Sequence, residues 1–235
     1  FDEKKSIFHQ RVIYDELLTH QFFFRGKYHE NKSYKSRPIL YSDSIQKKFL
    51  NNLGFKLTNQ QQSVFLEIRN DINKSYPMYR LLQGDVGSGK TVVAVMAALQ
   101  AINSGFQVAL MAPTEILAEQ HFEKLNYWLT KLAIHVELLT GSMKPKLKNI
   151  SYEKIKSGEA KLIVGTHALI QEKVDYKNIG FYIIDEQHRF GVRQRVALKK
   201  KSESNKDFEP HQLMMSATPI PRTLAMNYFA DMDIS

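Results

Sequence analysis

The segment GDVGSGKT, from Gly84 to Thr91, places three glycines, a lysine and a threonine at the spacing of a loop that wraps phosphate. Gly84, Gly87 and Gly89 let the backbone curl until consecutive amide N–H groups face inward, with Asp85, Val86 and Ser88 as the intervening members of the ring. Lys90 is then placed to reach the β- and γ-phosphates, and the Thr91 hydroxyl to ligate magnesium. The loop follows the apolar pair Leu81-Leu82 and precedes a strongly helical stretch, the context such a loop requires. A second group ends the apolar run Phe181 to Ile184, where Asp185 and Glu186 follow a buried strand. Asp185 would hold magnesium, directly or through water, and Glu186 would orient and deprotonate an attacking water. Two acids after a strand can equally be a helix N-terminal cap; the phosphate loop upstream favours the metal reading.

The elements that must position these groups can be read from hydrophobic patterning. Short apolar runs at Arg80 to Gln83, Gln107 to Met111, His135 to Leu139, Lys161 to Val164, Phe181 to Ile184 and Gln212 to Met215 read as strands. Helical patterns at Thr91 to Asn103, Ile116 to Lys131 and Tyr152 to Lys156 lie between them. Alternation of this kind predicts an α/β fold, a mainly parallel sheet with helices on both faces and ligands beyond the carboxyl ends of its strands. Ahead of it, Lys4 to His20 has helical spacing, Arg25 to Ser44 reads as a polar connector, and a boundary is expected near Asp43.

Thirty-three lysines and arginines against 24 acids give a formal net charge of +9, which favours a polyanionic partner but equally suits a lysine-rich surface that only aids solubility. Cysteine is absent, which excludes disulfides and thiolate metal sites and is compatible with a reducing cytoplasm, the location expected here. The longest apolar run, Val92 to Leu99, is far short of the roughly 20 residues that span a bilayer, so no membrane association is expected. His121 and His167 have no companions at metal-ligand spacing, and no zinc is expected. The 235 residues suffice for one ordinary domain and an appendage, and both ends read as cut, so a fragment of a longer chain is expected.

Taken in order, GDVGSGKT, APTEILAEQH, LLTGS, GTHAL, DEQHRFG and MSATPIPRT resemble the DExH-type helicases of superfamily 2, and most of all those that work on branched DNA. The likeness runs from about Phe55 to Ser235, whereas residues 1–50 match only as a helical linker. A transcription-repair coupling translocase is the nearest alternative, and usually carries a different residue at the position of Gln187. The resemblance implies a RecA-like P-loop NTPase domain over 51–235 that uses ATP and Mg2+. It implies a second RecA-like domain and a wedge domain elsewhere in the parent chain, with forked DNA as partner and a monomer favoured. It further implies that Phe55 and Gln61 recognise adenine, although Thr58 capping a helix explains this region as well. Pro113 with Thr114, Gly141 with Ser142, and Gly165 with Thr166 and His167 would track a DNA backbone; singly, each turn is also a plain helix cap. Ser216, Ala217 and Thr218 would couple hydrolysis to DNA grip, and His188 would sense the γ-phosphate unless it is merely structural.

Two readings compete with a motor. One is a scaffold in which ATP only switches DNA affinity, and the other is a P-loop kinase for a small molecule, which has no use for LLTGS, GTHAL or SATP. A fragment lacking its second domain is expected to bind nucleotide and hydrolyse it poorly.

Overall fold

The computed structural model describes residues 6–185, 208–217 and 232–235. Helix α1 (Ile7–Ser33) leads, followed by α2 (Asp43–Asn52) and α3 (Asn59–Ile72), and then the alternation the patterning predicts: β1 (Tyr79–Gln83), α4 (Lys90–Asn103), β2 (Gln107–Met111), α5 (Glu115–Thr130), β3 (Val136–Leu139), α6 (Pro145–Ser157) and β4 (Leu162–Gly165). A 3-10 turn over His167–Ile170 precedes β5 (Ile179–Ile184), β6 (His211–Ser216) and the short β7 (Asp233–Ile234). The strands form one sheet in the order β3-β4-β2-β5-β6-β1-β7, and every pairing is parallel. This is the α/β, RecA-like fold expected from the sequence.

Both faces of the sheet are buried, which is why its strands read as continuously apolar. Alternate residues divide between two cores: Leu82, Val108, Leu110, Phe181 and Ile183 pack with α3, α4 and α5, while Leu81, Ala109, Met111, Tyr182 and Ile184 pack with Ile155 of α6 and the segment around Leu169. Helix α4 is buried over ten consecutive positions from Val92 to Ala101, so its small and branched side chains serve close packing on every side.

The N-terminal region departs from expectation. The segment read as a connector from Arg25 continues α1 without a break to Ser33, since a polar stretch free of proline carries no signal against a helix. The chain already touches the sheet domain from α1, where Tyr28 Oη donates to Asp233 Oδ1 of β7 at 3.3 Å, and it docks closely from Ser36 onward. Gln46 Nε2 donates to Met96 O at 2.8 Å, Ser42 N donates to Gln100 Oε1 at 2.6 Å, and the fully buried Phe49 meets Trp128 edge to face at 6.0 Å. The strand β7 was not anticipated, being only two residues long.

Two buried polar clusters lock the sheet to what surrounds it. Arg80 of β1 donates to Glu67 Oε2 at 2.9 Å and to Asp71 Oδ2 at 3.0 Å, joining the strand to α3. Burial alone would raise the Asp71 carboxyl, but hydrogen bonds from Lys74 and Arg80 outweigh it and hold the group below its ordinary value. At the start of β6, His211 Nδ1 accepts from Met78 N–H at 3.0 Å, so the ring proton sits on Nε2 and points to Arg37 O at 3.1 Å. Ser36 Oγ lies 3.2 Å from the same nitrogen.

Burial pushes His211 down to about 4 from its ordinary 6.5, against the weaker pull of the Arg37 carbonyl and the more distant Asp71. A depressed histidine favours folding fully above the unfolded value and less as pH falls through the window. We therefore expect stability to drop between pH 6.5 and pH 4, by about 3 kcal/mol from this group. Urea midpoints measured across that range should fall more steeply for wild type than for His211→Asn; equal slopes would refute the assignment.

Candidate functional site

Strand β1 ends at Gln83, and the chain turns at once into the glycine loop. Gly84 N donates to Ser216 O at 3.3 Å, and Ser88 N to Asp85 O at 3.1 Å, closing the turn. Gly87 and Gly89 adopt φ of 84° and 85°, a region that side chains rarely enter. Space is restrictive as well: a Cβ on Gly89 would stand 2.3 Å from Gln61 Nε2, and one on Gly84 2.7 Å from Ser88 Oγ. Helix α4 starts immediately at Lys90 with no acid in its first turn, so the positive end of its dipole is not offset locally. The Lys90 ammonium folds back over the loop, donating to Gly84 O at 2.5 Å and Asp85 O at 2.9 Å. Asp85, Val86 and Ser88 are exposed, and Thr91 is partly so.

Gln61 reaches this loop from α3. Thr58 and Gln61 form a reciprocal cap at the start of that helix, and Gln61 Nε2 also donates to Ser88 O at 2.8 Å. The two residues expected to recognise adenine do not share a cavity. Gln61 lines a cavity of about 230 Å³ with Gly84, Asp85, Ser88 and Lys90, whereas the exposed Phe55 lines a separate groove of about 700 Å³ with Tyr41, Leu50 and Arg69.

Asp185 follows β5 directly, its amide donating to Met111 O at 2.8 Å. Sheet order puts β6 between β5 and β1, and Gln83 is in register with Ser216, so Ser216 stands between the glycine loop and the strand that delivers Asp185. Ser216 is buried and Ala217 half-buried. Glu186, His188 and Thr218 lie outside the described residues. One contact at the acid escaped the sequence reading: His121 of α5 places Nε2 2.7 Å from Asp185 Oδ2. Its signal was the position two helical turns beyond Thr114, where a search for metal-ligand spacing finds nothing.

The three turns expected to track DNA occupy the same edge, after β2, β3 and β4. Thr114 caps α5 by accepting from Leu117 N at 3.3 Å. Glu115 accepts from both the amide of Ser142, at 2.9 Å, and its hydroxyl, and these bonds hold the Glu115 carboxyl below its ordinary value. Gly141 and Ser142 are exposed, and Lys148 donates to the Gly141 carbonyl. Gly165 is a packing glycine, because a Cβ there would fall 2.0 Å from Leu139 O. Thr166 is 2% exposed with a hydroxyl that has no hydrogen-bond partner among the described residues, and the group this turn presents to solvent is His167. Among the described residues no helix is long and apolar enough to cross a membrane, and no cluster of three metal-ligating side chains occurs.

Comparison with known proteins agrees with this geometry. The chain is 49% identical over 98% of its length to the ATP-dependent DNA helicase RecG of Aquifex aeolicus, and 49% identical over 96% to that of Escherichia coli K12. It spans only 29% and 32% of those relatives. A solved structure of RecG bound to a three-way DNA junction superimposes with a TM-score of 0.84 at 43% identity, over 96% of this chain and 30% of that one. The helicase MrfA, at 18% identity and a TM-score of 0.65 over 85% of this chain and 33% of the other, shares the fold. Residues 45–226 match the DEAD/DEAH box helicase family, and the chain belongs to that family.

Proposed function

We propose that this chain is the first ATP-binding motor domain of an ATP-dependent DNA helicase or translocase that acts on branched DNA, such as replication forks and four-way junctions, in recombination and repair. One observation carries the reading: a glycine loop with its lysine, and a strand-end aspartate, converge on the carboxyl edge of one parallel sheet with Ser216 between them. That edge also holds the turns at Thr114, Ser142 and His167. Likeness to RecG, a protein solved on a three-way DNA junction, supports branched DNA as the partner. Residues 51–235 form the motor domain proper, and residues 1–50 lead into it, touching it from Tyr28 and docking through Ser36 and Gln46.

In this reading the loop amides from Gly84 to Gly89 and the α4 N-terminus receive the phosphates, and Lys90 exchanges its two carbonyl partners for phosphate oxygens. Thr91 and Asp185 offer a hydroxyl and a carboxylate, the hard oxygen donors that suit magnesium, which would offset charge on the β- and γ-phosphates. Glu186 orients the attacking water, while Ser216, Ala217 and Thr218, with His188, relay phosphate status toward the DNA edge.

The chain spans only 29% and 32% of its RecG relatives, which supports a second wall for the cavity beside the loop, supplied by another RecA-like domain of the parent chain. An arginine from such a domain is worth about 10³ to 10⁵ in rate.

Three outcomes follow. Lys90→Ala should weaken binding of a fluorescent ATP analogue about 10- to 100-fold, since a charge-assisted bond contributes roughly 1.5–3 kcal/mol, and affinity equal to wild type would remove the loop from nucleotide binding. The isolated chain should bind ATP yet turn it over about 10³-fold or more slower than the full-length parent on forked DNA, and comparable turnover would refute the need for a second wall. In the parent, Glu186→Gln should abolish translocation while ATP-dependent DNA binding survives; a scaffold that only switches affinity would show no translocation in wild type either.

A further inference from the structure

The contact between His121 and Asp185 belongs to none of the roles assigned so far. His121 lies seven residues beyond Thr114, two helical turns along α5, and so on the same face as the cap. Its Nε2 is 2.7 Å from Asp185 Oδ2, with the side chains only 14% and 16% exposed. An ionised carboxylate can only accept, so the ring nitrogen facing it carries the proton. Such a bond holds one carboxylate oxygen and restricts rotation of the group, as hydrogen bonds to metal-ligating carboxylates do.

The same helix is anchored at its first turn to the edge that carries the candidate DNA turns. Thr114 caps its first turn, and Glu115 binds Ser142 through both carboxylate oxygens, joining the turn after β2 to the turn after β3. Helix α5 is thus a rigid rod bonded to the 141–142 turn at its start and to the acid of the nucleotide site two turns later. This path is separate from Ser216, which reaches the loop through the sheet.

We propose that His121 is a positioning residue: it sets the orientation of Asp185 for the metal and, through α5, makes that orientation sensitive to what the Thr114 and Ser142 turns hold. The inference rests on the motor reading above and assigns it a second route of communication between DNA and nucleotide.

The test uses the full-length parent and the binding of a fluorescent ADP analogue in Mg2+ and in EDTA, with and without forked DNA. His121→Ala should keep the wild-type affinity in EDTA and lose about tenfold of the gain that Mg2+ confers, and His121→Gln, which retains an N–H near the same place, should recover most of it. Forked DNA should alter the Mg2+-dependent gain in wild type and alter it clearly less in His121→Ala, where only the Ser216 route remains. An undiminished gain in His121→Ala, an equal loss in EDTA, or the same DNA response in both proteins would overturn the proposal. A wild type that binds no nucleotide would instead sink the motor reading, and this inference with it.

Discussion

A parallel sheet ends all its strands on one side, and the glycine loop, Asp185 and the three turns after β2, β3 and β4 depend on that constraint. Hydrogen-bond register turns the general rule into particular neighbours. Gln83 lies opposite Ser216, Ile184 opposite both Met214 and Met111, and Met111 opposite Gly165. The loop after β1, the acid after β5 and the turns after β2, β3 and β4 therefore share an edge although more than 90 residues separate some of them in sequence. A slip of one residue would exchange the two cores, because Leu81 and Leu82 face opposite sides. Burial of both faces thus holds the register that brings the site together.

Helix α3 carries this constraint to the glycine loop. At its start, Gln61 bonds Ser88 O, and at its end Asp71 and Glu67 grip Arg80 of the strand that feeds the loop. The helix is fastened to the loop and to the root of the loop at once. A buried ion pair of this kind need not exceed a well-packed apolar pair in net stability. Its geometric effect is that the Gln61 amide stays where a side chain on Gly89 would have to be. The backbone conformation at Gly89 and the position of α3 are therefore one choice, made jointly.

Much of this was legible from sequence because it depends on local patterns. Strand after strand falls within a residue or so of its apolar run, and Gly84 to Thr91 announces its own turn through spacing alone. What was not legible is long-range or polar. Nothing in the text around His121 points to an aspartate 64 residues away, and nothing around Arg80 points to α3. The continuation of α1 to Ser33 was hidden because its polar second half has no periodicity to read, and α1 keeps apolar side chains such as Phe8 and Phe22 exposed. Phe55 sits six residues from Gln61, and the entry into α3 places the two beside different cavities, an arrangement that spacing alone does not give.

The motif letters also mix two kinds of demand that only geometry separates. In GTHAL, the glycine answers the backbone of β3, the threonine is buried, and the histidine alone faces outward. In APTE, the threonine caps α5 while the glutamate reaches across to Ser142. An edge assembled this way presents caps, amides and short side chains held by packing behind them, groups of the kind that, on the proposed reading, would contact a repeating phosphate chain without reading bases. The chain's basic balance works with that surface in the same direction, since neither component distinguishes one sequence from another. On that reading, selection among DNA structures would then rest on shape rather than on base contacts at this edge.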